Sequence, residues 1–160
     1  MDIKVPVSLI AMDMDGTLLN KRQQMPGENI AAMKRAAARG VHIAICSGRT
    51  ASDVSFFLSD AGIVQCAVLA LNGACCLAQP HAQPYAVHTF APETLERTTA
   101  NLLSHGVTFA CFQAARVVVL NNDPQVSRAN WGTHVARADR GAYAYGAEAL
   151  QRYKAEGVCK

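Results

Sequence analysis

Val7-Ser8-Leu9-Ile10-Ala11-Met12-Asp13-Met14-Asp15-Gly16-Thr17-Leu18-Leu19-Asn20 is the stretch on which the fold turns. Its first half is a mostly apolar run of strand length, which ends in two carboxylates one residue apart, followed by Gly16 and Thr17. A buried strand that stops at a polar, turning loop belongs to an open α/β sheet, where chemistry gathers at the carboxyl ends of the strands. Side chains two apart on an extended strand share a side, so Asp13 and Asp15 are expected to lean toward one small volume. Two carboxylates that close repel unless a cation joins them. A hard ion such as Mg²⁺ takes oxygen ligands and keeps several waters, which leaves a place for a phosphate oxygen. One aspartate can then attack phosphorus while the other moves a proton.

Downstream, the pattern repeats. A polar segment ends in Pro26-Gly27; Ile30, Met33 and Ala37 then recur at helical spacing, and Gly40 stands in the stopping position. Residues 41–46 are apolar and β-branched, so strand, helix and strand form a parallel unit, with His42 a structural residue of its second strand. Ser47 follows this strand as Asp13 follows the first. Parallel neighbours end on one edge of a sheet, which puts Ser47 near Asp13 with a hydroxyl to offer a phosphate oxygen; the plainer reading is a serine that begins a turn. Thr50 with Asp53 reads as a capping box, and Val54, Phe57, Leu58 and Ala61 as the core stripe of a second helix. Residues 67–71 read as a third parallel strand and Asn72-Gly73 as the turn after it, where Asn72 either contacts substrate or only makes the turn. Arg49 either helps hold an anionic substrate or is a surface arginine tied to a helix end.

Three of these segments carry a resemblance. Asp13-Met14-Asp15-Gly16-Thr17-Leu18-Leu19 resembles the first motif of the haloacid dehalogenase superfamily in the form its phosphatases use. Ser47-Gly48-Arg49-Thr50 resembles the second motif, and Leu71-Asn72-Gly73-Ala74 resembles a loop of the Cof-type sugar-phosphatase branch; their order and spacing agree, and the likeness runs over residues 7–74. It implies an α/β fold with a Rossmann-like parallel sheet, and a Mg²⁺-dependent phosphatase acting on a small phosphorylated metabolite, a sugar phosphate being the branch's usual kind. It further implies Asp13 as the nucleophile that becomes an aspartyl phosphate, Asp15 as the acid and base, and both as Mg²⁺ ligands. Ser47, Gly16, Thr17, Gly48, Arg49 and Asn72 would then surround phosphate and substrate.

The character of the chain changes at residues 79–84, a polar, proline-bearing stretch that reads as a hinge. It divides a core portion, 1–80, from an α+β portion, 81–160, which by the resemblance is an incomplete cap domain. Here the expectations are a strand over 85–90, a helix from Pro92 to about His105 with Leu95, Leu102 and Leu103 inward, strands near 107–112 and 116–120, and a last helix over 147–155. Trp131, Tyr143 and Tyr145 either line a sugar or nucleotide pocket or serve as core. In the family a lysine motif and a metal-binding aspartate motif follow the cap, so the chain is expected to be truncated before both, and Asp123 is not taken for a metal ligand. That would leave residues 7–12 with an unpaired edge, open to a second copy or a partner chain. Two further readings therefore stand beside the phosphatase: a catalytically incomplete fragment, and an assembly module docking through this edge.

Composition narrows the rest. With 160 residues, 51% hydrophobic and 17% charged, the chain is rich enough for a core and unlike a disordered one. A net charge of +3 with scattered Lys and Arg speaks against a nucleic-acid face or a polybasic membrane anchor. The first residues lack the features of a signal peptide and no apolar run approaches the roughly 18 residues of a membrane span, so a cytoplasmic location is the default. The six cysteines show no paired framework and read as reduced thiols. Cys75-Cys76 with His81 and His88 is a poor zinc set, because adjacent cysteines are a poor start for tetrahedral ligation.

Overall fold

The apolar segments of the first half find one another as a sheet. The computed structural model describes residues 6–107, 109–114, 117–120 and 157–159. Strand β1 (Leu9–Met12), helix α1 (Gly27–Ala38), β2 (His42–Cys46), α2 (Ala51–Asp60) and β3 (Ala67–Ala70) alternate along the chain. β1 pairs with β2 in parallel, from Leu9 opposite His42 to Met12 opposite Ile45, and β2 pairs with β3 in parallel from Ala44 opposite Ala67. Three parallel strands in chain order therefore end on one sheet edge, as the α/β reading requires.

A 3₁₀ turn, Leu71–Gly73, reverses the chain into β4 (Cys75–Leu77), antiparallel to β3, and β5 (Ala86–Val87) pairs antiparallel with β4. The sheet order is β1-β2-β3-β4-β5. β4 has no counterpart in the sequence reading, since a strand of three residues is too short to show a period. β5 carries the sheet past the proline-bearing stretch, where His81 is pinned to α2: its N–H donates to Ser55 Oγ (3.1 Å) and its Nε2 lies 2.8 Å from Ser59 Oγ.

The core lies between the sheet and the two helices. Ile45 and Val68 are fully buried in β2 and β3, together with Val54 and Leu58 of α2 and with Met33 of α1. One helix stripe differs from expectation. Ala37 is exposed and Ala36 packs against the core instead, because the face through Ile30 and Met33 continues at a spacing of three. α2 begins as expected, with Thr50 Oγ1 accepting from the Asp53 N–H at 3.2 Å. All six cysteines are free, and burial pushes the Cys66 and Cys111 thiols up to about 11.

Beyond the sheet, α3 (Pro92–Ser104) has Pro92 in its first turn and a stripe of Leu95, Thr99, Leu102 and Leu103. β6 (Phe109–Phe112) and β7 (Val117–Leu120) form a separate antiparallel pair. Residues 157–159 lie beside both parts: the Phe90 N–H donates to the Val158 carbonyl (2.9 Å) and the Cys159 N–H to the Phe112 carbonyl (2.7 Å). The expected helix over 147–155, and Asp123, Trp131, Tyr143 and Tyr145, lie outside the described residues. Among the described residues no helix is long and apolar enough to cross a membrane.

Candidate active site

Three loops at the carboxyl ends of β1, β2 and β3 build the site. After β1 the fully buried side chain of Met14 anchors the turn, and its carbonyl accepts the N–H groups of Leu18 (3.0 Å) and Leu19 (2.8 Å), both themselves buried. Gly16, at φ +76°, makes the reversal that an ordinary residue would resist. With Met14 committed to the core, the residues on either side of it, Asp13 and Asp15, are left exposed.

The other two loops are laced together. The Ser47 N–H donates to the Leu69 carbonyl, the Asn72 N–H to the Ser47 carbonyl and the Leu71 N–H to the Arg49 carbonyl, each at 2.9 Å. Ser47 is 4% exposed, and its Oγ accepts from the Arg49 N–H at 3.2 Å. Leu71 and Asn72 both sit in the left-handed region, at φ 52° and 58°, a conformation that costs on the order of 1 kcal/mol or more per residue and persists because these cross-loop bonds hold it. Between the loops is a pocket of about 290 Å³ lined by Asp13, Cys46, Ser47, Gly48, Leu69, Asn72 and Gly73. Of the residues singled out in the sequence, Asp13, Ser47, Gly48 and Asn72 meet here, whereas Asp15, Gly16, Thr17 and Arg49 do not line it. Cys46, one of the six thiols and the last residue of the second apolar strand, carries no sign of a site in the sequence pattern alone. The last residue of a strand faces the sheet edge as much as the core, and only its place directly before Ser47 links it to the site.

Asp15 is turned toward Arg49. The guanidinium donates from Nε to Asp15 Oδ2 (2.8 Å) and from Nη2 to Asp15 Oδ1 (2.7 Å), the two-pronged geometry that makes such pairs strong. It also donates from Nη1 to Asp53 Oδ2 (2.6 Å) and from Nη2 to Gln23 Oε1, and it lies over the Phe57 ring, 5.2 Å from its centre. The hydrogen bond from Arg49 is the main cause that holds the Asp15 carboxyl below its usual value, against the opposing effect of partial burial. Arg49 is in turn held more firmly charged, chiefly by its bond to Asp15. The expectation that both carboxylates share one volume thus meets a competitor: Asp13 borders the pocket, and a fixed cation claims both oxygens of Asp15. Gln23 was not anticipated. It lies in a loop held by Asn20, whose Oδ1 accepts from the N–H groups of Arg22 (2.9 Å) and Gln24 (3.1 Å), and nothing local in the sequence signals its reach to Arg49.

The donor chemistry fits a hard divalent cation. Asp13 offers its carboxylate oxygens at the end of β1, whereas those of Asp15 are engaged by Arg49 and would have to be shared with an ion; among the described residues no group of three or more His, Cys, Asp or Glu converges. One or two carboxylates with water and a substrate phosphate is the set Mg²⁺ accepts, whereas a caged ion would need more protein ligands.

A family model described as haloacid dehalogenase-like hydrolase matches residues 10–151. A 5-amino-6-(5-phospho-D-ribitylamino)uracil phosphatase of Bacillus subtilis is 45% identical over 64 residues, which make up 40% of this chain and 21% of that protein. A haloacid dehalogenase-like hydrolase of B. subtilis superposes with a TM-score of 0.72 at 24% identity, covering 95% of this chain and 59% of that one. The subclass IIB sugar phosphatase BT4131 superposes with a TM-score of 0.70 at 18% identity, covering 95% of this chain and 56% of the other. The chain thus spans a little over half the length of these two structures, and their likeness is one of fold.

Proposed function

The chain belongs to the haloacid dehalogenase-like hydrolases, and on that premise we propose that its pocket serves phosphomonoester hydrolysis through an aspartyl-phosphate intermediate. One observation carries the reading: Asp13, Ser47, Gly48 and Asn72, from the ends of three adjacent parallel strands, line a single pocket. Asp13 Oδ attacks phosphorus as the bond to the leaving oxygen breaks, and the leaving oxygen takes a proton from Asp15. Water then attacks the aspartyl phosphate and gives a proton back to Asp15, which frees Asp13 and inorganic phosphate. Arg49 keeps Asp15 ionised in the resting site. The negative charge of an arriving phosphate opposes that effect and raises the carboxylate's affinity for the proton it must carry.

Ser47 Oγ and the backbone of Gly48 and Gly73 hold phosphate oxygens, and Asn72 faces the ester. Asp13, with Asp15 where Arg49 yields one of its oxygens, would hold Mg²⁺, whose charge would offset that of nucleophile and phosphate. The relatives point to the substrate class. One is named for a ribityl phosphate and one for sugar phosphates, both phosphate esters of a hydroxylated carbon chain, and a soluble metabolite of that kind suits a cytoplasmic enzyme.

The test is turnover of an aryl phosphate and of a polyol phosphate by the purified chain, with and without Mg²⁺, beside Asp13→Asn. Metal-dependent turnover that falls by on the order of a thousandfold in the variant supports the reading; turnover equal to that of Asp13→Asn, from folded protein, sinks it. A second reading, assembly through the β1 edge, is favoured by the exposure of Val7 (51%) and Leu9 (55%). A monomer in size-exclusion chromatography would count against it.

A further inference from the structure

Arg49 spends its charge away from the pocket. Of the five N–H donors on its fork, four are directed at Asp15 twice, Asp53 and Gln23. A fork occupied in this way cannot at the same time grip the oxygens of a phosphate. Its partners fall into two groups. Asp15 and Gln23 belong to the segment after β1, whereas Asp53 and Phe57 belong to α2, where the Asp53 side chain is only 7% exposed and the Asp15 side chain is 49% exposed. The buried end of the arrangement is therefore the anchor, and the exposed end is what it holds.

We propose that Arg49 is a positioning residue: anchored on α2 by Asp53, it clamps the carboxylate of Asp15 and pins the loop after β1, and it does not bind the phosphate. The inference rests on the phosphatase reading of the pocket and assigns a residue to its control. The chemistry asks for arginine, since a lysine ammonium is a point charge that cannot span both oxygens of Asp15 and reach Asp53 as well.

The test follows the Arg49 Nε–H resonance, assigned by its loss in Arg49→Lys, together with the backbone amides of Gly48 and Gly73, during titration with inorganic phosphate in the presence of Mg²⁺. Shifts of the two glycine amides with an unmoved Nε–H support the clamp; an Nε–H that moves in step with them overturns it. Silent glycine amides would instead refute the phosphate pocket. The clamp is then decided without phosphate, by whether the Nε–H exchanges faster with water in Asp15→Asn and Asp53→Asn, as expected, or is unchanged in both, which overturns it. In turnover, Asp53→Asn and Arg49→Lys are expected to lower kcat by about 10- to 100-fold with KM within about threefold. A raised KM at unchanged kcat would mean that Arg49 is a substrate ligand after all.

Discussion

β1 and β2 lie side by side, read almost alike in the sequence, and end in the two motifs of the site, yet they are buried very differently. Ile43, Ala44 and Ile45 of β2 are all buried, with Ile45 at 0% exposure, while in β1 exposed and half-buried residues alternate and Leu9 is 55% exposed. The difference is one of neighbours. β2 is paired on both sides and packs in the core with α2, whereas among the described residues β1 is hydrogen-bonded only to β2. Asp13 therefore follows the less buried strand and Ser47 the more buried one. Asp13 and Asp15 gain access, and their orientation is supplied from outside the strand, by Met14 beneath and Arg49 beside.

The contrast can be broken most directly by truncating each strand. Ile45→Ala is expected to destabilise the chain by about 3 kcal/mol, the range for emptying a filled core site, and Leu9→Ala by less than about 1 kcal/mol. Urea unfolding would show it, and equal losses would mean that β1 is covered in solution. Next in size is Ser47→Ala. Among the described residues its Oγ accepts a local hydrogen bond from the Arg49 N–H, so stability should fall by about 1 kcal/mol, while turnover falls by roughly tenfold or more if the hydroxyl serves phosphate. A loss of stability without a loss of turnover would make Ser47 a turn residue.

The smallest effect concerns the clamp at the end of β1. The folded carboxyl of Asp15 titrates below its usual value of 3.8, so its contribution is present above that value and is lost as pH falls through the folded one. Because the side chain is half exposed, the amount is below about 1 kcal/mol. The stability difference between the native chain and Asp15→Asn should accordingly be seen at pH 6 and shrink toward pH 3. A difference that grows on acidification would mean that Arg49 does not hold the ionised form.

Much of this was legible from local pattern. Asp13-Met14-Asp15-Gly16 follows an apolar run, Ser47 follows another, and apolar runs of strand length followed by helical spacing name strand and helix in the right order. β4 escapes for want of length, β5 falls inside the strand expected over 85–90 but spans only two of its residues, and the inward alanine of α1 lies one residue from the expected one, within the tolerance of a loose helical stripe. Arg49 stands between substrate and surface in the sequence because two of its partners, Asp15 and Gln23, are 34 and 26 residues upstream, and no local spacing encodes a contact at that range; only its pair with Asp53, four residues on, is local.

The sequence by itself determined that parallel strands would deliver Asp13, Ser47 and Asn72 to one edge, because strand direction and crossover follow from the order of elements. Only the tertiary structure decided that Asp13 borders the pocket while Asp15 is turned to a fixed cation, and that β2 is sealed while β1 is not. Those outcomes depend on which side chains compete for the same volume and charge across the fold, and that competition is settled by packing, after every local preference has been met.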